Sequence, residues 1–356
     1  MRVSGHAVPP LSHLTTLRVG GAPRAIVAVD SFEQAVQTLA DLDDAGTAYW
    51  PLGGGSNLVV ADGGVDAVVV WMRNSRVDVL AESDDAVTVC VGAGANWDEF
   101  VSTCVANGWS GVEALSGIPG TVGAAPLQNI GAYGACAADV VTSVQVWDRR
   151  ERAVARLSAQ ACGFAYRDSE FKHRRMPDGS PVDVVLAVEF QFARSPFSAP
   201  IRYAELAAAL AVEPGQSAPL AGVRGAVLTL RRSKGMLLDD ADHDTWSVGS
   251  FFTNPVVAAE VASALPVDAP RWPVADSADM VKLSAAWLVE HAGFPKGFSL
   301  AGSAAAVSSK HALAITNRGG ATATEVVELA STIRNGVTDA FGVNLEVEPI
   351  LLGVTL

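Results

Sequence analysis

Gly117-Ile-Pro-Gly120-Thr-Val-Gly123-Ala-Ala-Pro126-Leu-Gln-Asn129-Ile-Gly131-Ala-Tyr133-Gly134 reads as neither helix nor strand. Its eighteen residues hold five glycines, two prolines and no charged side chain. Such a run makes a poor core and a poor solvated loop. Uncharged, backbone-rich chain suits close approach to a large flat or phosphorylated ligand, with a buried structural loop as the alternative.

The flanks alternate in type. Upstream, the Val-rich Val87–Val91 reads as a strand running into Gly92-Ala-Gly94-Ala-Asn96. A helix follows with Trp97, Phe100, Val101, Cys104 and Val105 on one face, stopped by Asn107-Gly108. Downstream, Val144–Trp147 and Val154–Leu157 bracket a charged hairpin turn. Val182, Val184, Leu186, Val188, Phe190 and Phe192 then recur with the period of two that marks a strand.

Nearer the start, Ile26–Val29 reads as a strand. Ser31-Phe-Glu-Gln34 has the form of a capping box opening a helix with Phe32, Ala35, Val36 and Leu39 inward. Tyr49–Leu52 and Val68–Met72 are short apolar strands. Between them Gly53-Gly54-Gly55-Ser56-Asn57 precedes Leu58-Val-Val60. Beyond Phe192, a short helix sits in the Ala-, Pro- and Ser-rich 195–219, and 235–244 is irregular. Helices are expected near Ser284–His291 and Thr324–Asn335, with a closing strand around Leu345–Leu352. The pattern predicts an α+β chain in three compact units.

The chain has 356 residues, 49% of them apolar and 18% charged, with 25 Lys+Arg against 38 Asp+Glu and a net charge of −13. That balance excludes a disordered acidic protein and argues against nucleic acid as a partner. No uncharged apolar run is long enough to span a bilayer as a helix, so membrane insertion is not expected. Met1–Leu11, with Arg2, His6, Pro9 and Pro10, offers no signal-peptide core. Cys90, Cys104, Cys136 and Cys162 form no C-x-x-C pair and lie beside no His at ligand spacing, so no metal site is expected. Buried free thiols in a reducing cytoplasm account for them, with a redox-active cysteine as the alternative.

Several segments could carry chemistry. Gly53–Asn57 can turn backbone N–H groups toward an anion, because glycine permits the positive φ that such nests use; a tight turn is the alternative. It lacks the Lys-Ser/Thr of a phosphate-binding P-loop and the helix of a Rossmann fingerprint. Phe164-Ala-Tyr-Arg167-Asp-Ser-Glu-Phe-Lys172 embeds an arginine among aromatics, either to clamp a carboxylate or to pair with Asp168. Gly249-Ser250-Phe-Phe-Thr-Asn254-Pro255 holds a serine without the G-x-S-x-G elbow of a hydrolase. Arg231, Arg232 and Lys234 are a basic cluster, either a solvated face or a phosphate site.

Taken in order, these segments resemble the UDP-N-acetylenolpyruvoylglucosamine reductase family over nearly the whole chain. The resemblance runs from Thr15-Thr-Leu-Arg-Val-Gly-Gly21 to Leu345-Glu-Val-Glu-Pro349 and includes Val281-Lys-Leu-Ser-Ala-Ala-Trp-Leu288. It implies an FAD-binding fold of the vanillyl-alcohol-oxidase/PCMH type in two subdomains, 1–74 and 75–235. An α+β substrate-binding domain at 236–348 would follow, with 349–356 returning to the first subdomain.

By the same resemblance, FAD is held non-covalently by Gly53, Gly54, Gly55, Ser56, Asn57, Leu58, Ile118, Pro119, Gly120, Gly123, Ala124, Asn129 and Gly131, neither loop containing a histidine. NADPH is the co-substrate, UDP-N-acetylglucosamine enolpyruvate is the substrate, and the enzyme is a cytoplasmic monomer. Arg167 and Glu348 would stabilise the enediolate and Ser250 would give the proton. Glu348 can help such a dianion only while it carries or shares a proton. Tyr133, Tyr203, Lys234, Asn254 and Lys296 fall on substrate-binding positions.

Two departures from the family pattern stand out. The family's Leu-Glu-Pro-Glu is here Leu345-Glu-Val-Glu348-Pro349. Glu346 and Glu348 would share one strand face, so periodicity leaves both open and only register with Leu-Leu-Gly favours Glu348. Lys234 is followed by Gly-Met-Leu-Leu-Asp rather than Leu-Pro-Asp. Two other readings remain: an FAD-dependent oxidase of the same superfamily, in which Ser250 and Glu348 have no task, and a non-catalytic nucleotide-sugar binder.

Overall fold

The computed structural model describes residues 8–274 and 277–356, so Arg2 and His6 lie outside the described residues. The chain divides into two compact units. One comprises Pro23–Gly54 and Asp66–Ser233; the other comprises the chain up to Ala22, Gly55–Val65 and Lys234–Leu356. Helices and strands mix in both, so the class is α+β.

In the first unit, the strands Pro23–Val29, Val65–Met72 and Tyr49–Leu52 form a small sheet in that order, the last two parallel. The helix Phe32–Asp44 opens as its sequence predicts. The Ser31 hydroxyl accepts the Gln34 N–H at 3.1 Å, but Gln34 Oε1 reaches past Ser31 to the Asp30 N–H at 2.9 Å. The reciprocal half of the cap is therefore one residue wider than the standard box.

A larger antiparallel sheet runs in the order Ala153–Ser158, Val141–Asp148, Asp183–Arg194, Ala86–Gly92, Val77–Glu82, with Trp109–Ser110 pairing at the end of Asp183–Arg194. Asn96 accepts the Glu99 N–H at 3.0 Å and starts the helix Trp97–Ala106, which lays its apolar face over the sheet. Phe100 and Phe190 ring centres stand 5.2 Å apart, with Trp97 and Phe192 completing the cluster.

Asp183–Arg194 differs from a half-exposed strand. Phe190 and Phe192 are buried on one face, and so are Val185, Ala187 and Glu189 on the other. Glu189 is tolerated there because its neighbours are polar: Gln145 Nε2 donates to it at 3.2 Å and Arg156 forms an ion pair with it.

In the second unit, Ser247–Ser250, Ala314–Asn317 and Ala305–Val307 make one antiparallel sheet, and Val256–Ala258, Ser277–Leu283 and Arg271–Val274 another. Leu58–Val60 pairs in parallel with Ile350–Leu352. The helix Ala323–Phe341 buries Val326, Leu329, Ala330, Ile333 and Val337 along one stripe. Thr322 and Glu325 cap it reciprocally, and Gly342 ends it in the left-handed conformation.

This helix outruns the expected Thr324–Asn335: it continues through Gly336, which packs against Phe294, and stops only at Gly342. A Cβ at Gly336 would lie 2.5 Å from the Phe294 ring. The closing strand is shorter than expected. Only Ile350–Leu352 is regular, and Val347 contributes a single bridge to Phe252.

All four cysteines are free. Cys104 and Cys162 are buried, and burial pushes the Cys162 thiol up to about 11. Cys90 and Cys136 are only half-buried.

Candidate active site

The two glycine-rich runs meet inside the first unit. A Cβ on Gly53 would sit 2.3 Å from Thr121 Oγ1, and one on Gly54 would sit 2.7 Å from Gly120 Cα. Gly54 is thus needed for close approach of backbone to backbone, and Gly53 for that of the Thr121 side chain. Positive φ is not their reason; within the triplet only Gly55, at φ 59, is left-handed. Gly123 likewise packs where a Cβ would fall 2.5 Å from that of Ala93. Ile118, Pro119 and Ala124 are half-buried beside them. The result is two uncharged, glycine-rich loops packed tightly on each other, the kind of backbone-rich segment that can hold a dinucleotide by main-chain groups.

The arginine motif is fastened to the same run. Arg167 donates from Nη2 to the Gly131 carbonyl at 2.6 Å, Asn129 donates from Nδ2 to Ala165 C=O at 3.0 Å, and Ser169 Oγ donates to Leu127 C=O at 2.5 Å. Arg167 Cζ lies 5.8 Å from the Tyr166 ring centre. An Arg167–Asp168 pair is not formed: Asp168 Oδ2 meets His173 Nε2 at 2.8 Å, and Oδ1 has no hydrogen-bond partner.

Six non-glycine residues among those described have positive φ, and three of them are here: Asn129 at 46°, Tyr133 at 51° and Arg167 at 54°. Left-handed backbone costs an ordinary residue about 1–2 kcal/mol. Such outliers concentrate where function holds the chain in place.

Tyr133 packs on the apolar cluster of Ile201, Leu206, Val223 and Val227, edge-on to Tyr203 with ring centres 5.5 Å apart. Burial raises the Tyr133 hydroxyl above its ordinary range, and the nearby Arg231 works against that. The basic cluster therefore splits. Arg232 is exposed, whereas the Arg231 guanidinium is turned inward and pushed down to about 10 by burial, in the fields of Tyr133, Asp98 and Arg167.

Asp98 fixes the start of the long run, accepting the Gly117 N–H at 2.5 Å and both Arg224 terminal nitrogens at 2.5 and 2.9 Å. Sequence reasoning passed over Asp98 and Ser169. Asp98 reads as an ordinary acid in a helical first turn, and no pattern links Ser169 to a carbonyl 42 residues away.

In the second unit, Ser250 ends the strand Ser247–Ser250 after Gly249, whose φ is 77°. The next residues run antiparallel to the acidic segment. Phe251 C=O accepts the Glu348 N–H at 2.9 Å, and Thr253 N–H donates to Glu346 C=O at 3.0 Å. Ser250 and Glu348 are thereby brought onto neighbouring backbone.

Asn57 braces this arrangement, donating from Nδ2 to Glu348 C=O at 3.3 Å while its own carbonyl accepts the Ile350 N–H at 2.9 Å. Glu348 is half-buried and Glu346 exposed. Asn254 Oδ1 is committed to the Ala285 N–H at 2.9 Å, at the start of the helix Ala285–His291. Lys234 is half-buried and Lys296 exposed.

Residues 23–155 match the family model of the FAD binding domain, and residues 240–352 match that of the UDP-N-acetylenolpyruvoylglucosamine reductase C-terminal domain. The UDP-N-acetylenolpyruvoylglucosamine reductase of Thermobifida fusca is 49% identical over 98% of this chain and 98% of its own. That of Mycobacterium tuberculosis is 49% identical over 98% of this chain and 95% of its own. The crystal structure of the Thermus caldophilus enzyme of that name superposes with a TM-score of 0.65 at 25% identity, covering 96% of this chain and 97% of the other. With those matches laid over the glycine cradle and the arginine and serine segments, the chain belongs to the UDP-N-acetylenolpyruvoylglucosamine reductase family.

Proposed function

We propose that the protein is an NADPH-dependent flavoprotein oxidoreductase that reduces UDP-N-acetylglucosamine enolpyruvate to UDP-N-acetylmuramate, a step of peptidoglycan precursor synthesis. Family membership over the full chain carries this reading. The two uncharged glycine-rich loops support it, being packed together in one place.

Gly53–Leu58 and Ile118, Pro119, Gly120, Gly123, Ala124, Asn129 and Gly131 would hold FAD without a covalent tether. When bound there, FAD would supply hydride chemistry, from NADPH to the vinyl carbon of the substrate. The remaining roles belong to side chains. Arg167 offers a fork of donors to the carboxylate, into which the developing negative charge spreads.

Glu348 shares a proton with that carboxylate, and Ser250 delivers the proton that completes the second carbon. Tyr133, Tyr203, Lys234, Asn254 and Lys296 hold the nucleotide-sugar portion. Residues 1–74 and 75–235 serve as cofactor subdomains and 236–348 as the substrate domain. The protein works as a cytoplasmic monomer; among the described residues no helix is long and apolar enough to cross a membrane.

A stopped-flow record of flavin absorbance tests the proposal. Bleaching with NADPH, followed by recovery on adding the enolpyruvyl substrate without oxygen, is the expected result. Recovery only with oxygen would identify an oxidase, and absence of flavin in the purified protein would overturn the reading altogether.

A further inference from the structure

We propose that Ser169 is a positioning residue for Arg167, its hydroxyl fastening the arginine turn to the glycine-rich run and so fixing where the guanidinium points. The inference rests on the assignment of Arg167 to the substrate carboxylate.

Arg167 sits in a tight turn closed by two backbone bonds between Ala165 and Asp168, at 3.0 and 3.3 Å. Its own φ of 54° is a conformation that arginine leaves when nothing holds it. The turn is short and its tip is half exposed, so local bonds alone set its shape but not its direction. Direction comes from outside the turn.

Asn129 ties the chain entering the turn at Ala165, and Ser169 ties the chain leaving it to Leu127 C=O at 2.5 Å. The two ties straddle Arg167, whose Nη2 is then set on Gly131 C=O. Asn129 is itself at φ 46°, and its Oδ1 is occupied by the Ala138 N–H at 2.9 Å, so it cannot swing to follow a displaced turn.

Ser169 is 1% exposed. Its hydroxyl is thus an internal fastening, and removing it leaves Leu127 C=O without that donor. Loss of such a fastening misplaces a charged group by a fraction of its length, which catalysis registers more sharply than folding does.

The test uses the flavin-bound enzyme and single-turnover kinetics of both half-reactions. Ser169→Ala is expected to slow flavin reoxidation by UDP-N-acetylglucosamine enolpyruvate about 10- to 100-fold. Flavin content and the NADPH-driven rate should stay within about twofold of the parent. Ser169→Thr, which keeps the hydroxyl, should restore most of the rate. In an Arg167→Ala background, Ser169→Ala should slow the reaction no further, because the two act as one unit.

A parent-like rate for Ser169→Ala beside a slow Arg167→Ala overturns the inference and leaves the arginine assignment standing. A parent-like rate for Arg167→Ala overturns that assignment itself. Losses that multiply in the double variant show Ser169 acting by another route and also overturn the inference. Should Ser169→Ala lose its flavin, Ser169→Cys, close in shape but a weak donor, is read in the same way.

Discussion

The side-chain amide of Asn57 donates to the main-chain carbonyl of Glu348 at 3.3 Å, bracing a residue whose own N–H is already fixed on Phe251 C=O. The brace lies at Glu348, the carboxylate we assign to the reaction, rather than at Glu346. Glu348 is braced and half-buried, while Glu346 is exposed. Glu348→Gln should slow substrate reduction about 10²- to 10⁴-fold. Glu346→Gln should stay close to the parent. Steady-state NADPH oxidation at saturating substrate compares them, and the opposite ranking would move the role to Glu346.

Ser250 ends its strand beside that same segment, and its proposed task arises only after hydride has arrived. Ser250→Ala should therefore leave flavin bleaching by NADPH largely intact while product formation falls about 10²- to 10⁴-fold. Rapid mixing separates the two steps. Slow bleaching with normal turnover would contradict the assignment.

Gly54 faces backbone, and backbone cannot step aside as a flexible side chain can. The Cβ of Gly54→Ala would lie 2.7 Å from Gly120 Cα, so overpacking should cost about 1–3 kcal/mol and deplete bound flavin. Gly63, with nothing within 4 Å of its would-be Cβ, supplies the control. The absorbance ratio of flavin to protein in Gly54→Ala and Gly63→Ala decides the matter. Equal retention in both would show that the close approach is not needed to hold the cofactor.

Asp98 links pH to the anchoring of the long run. Burial alone would raise its carboxyl, yet the Arg224 guanidinium and the Gly117 N–H hold it below its ordinary value of 3.8. A carboxyl depressed by folding stabilises fully above its unfolded value and loses that contribution as pH falls through the folded one. Asp98→Asn should cost about 1.5–3 kcal/mol near neutrality. The gap to the parent should narrow as pH drops below 3.8. Denaturant midpoints across that range measure it, and a gap that widens on acidification would refute the linkage.

Legibility in the sequence followed the range of the physics. Helix starts such as Ser31 and Asn96, and strands such as Val87–Val91, rest on neighbours a few residues away, and they could be read directly. The two glycine runs were visible as runs, but the reason for Gly53 and Gly54 was not, since it depends on Gly120 and Thr121 arriving beside them. The partnership of Ser169 with Leu127 carries no periodic signal at all. That the last helix runs on through Gly336 was equally hidden, since the Phe294 ring it packs against lies far away in the chain. The splitting of Arg231 from Arg232 likewise depends on Tyr133 and Asp98, which lie far away in the chain.

The left-handed backbone at Asn129, Tyr133 and Arg167 leaves selection little room at these three positions. Glycine would relax the torsion at each, yet it would strip Asn129 of its bonds to Ala165 and Ala138, Tyr133 of its apolar seat and Arg167 of its hold on Gly131. Screens for heat resistance should therefore retain all three side chains.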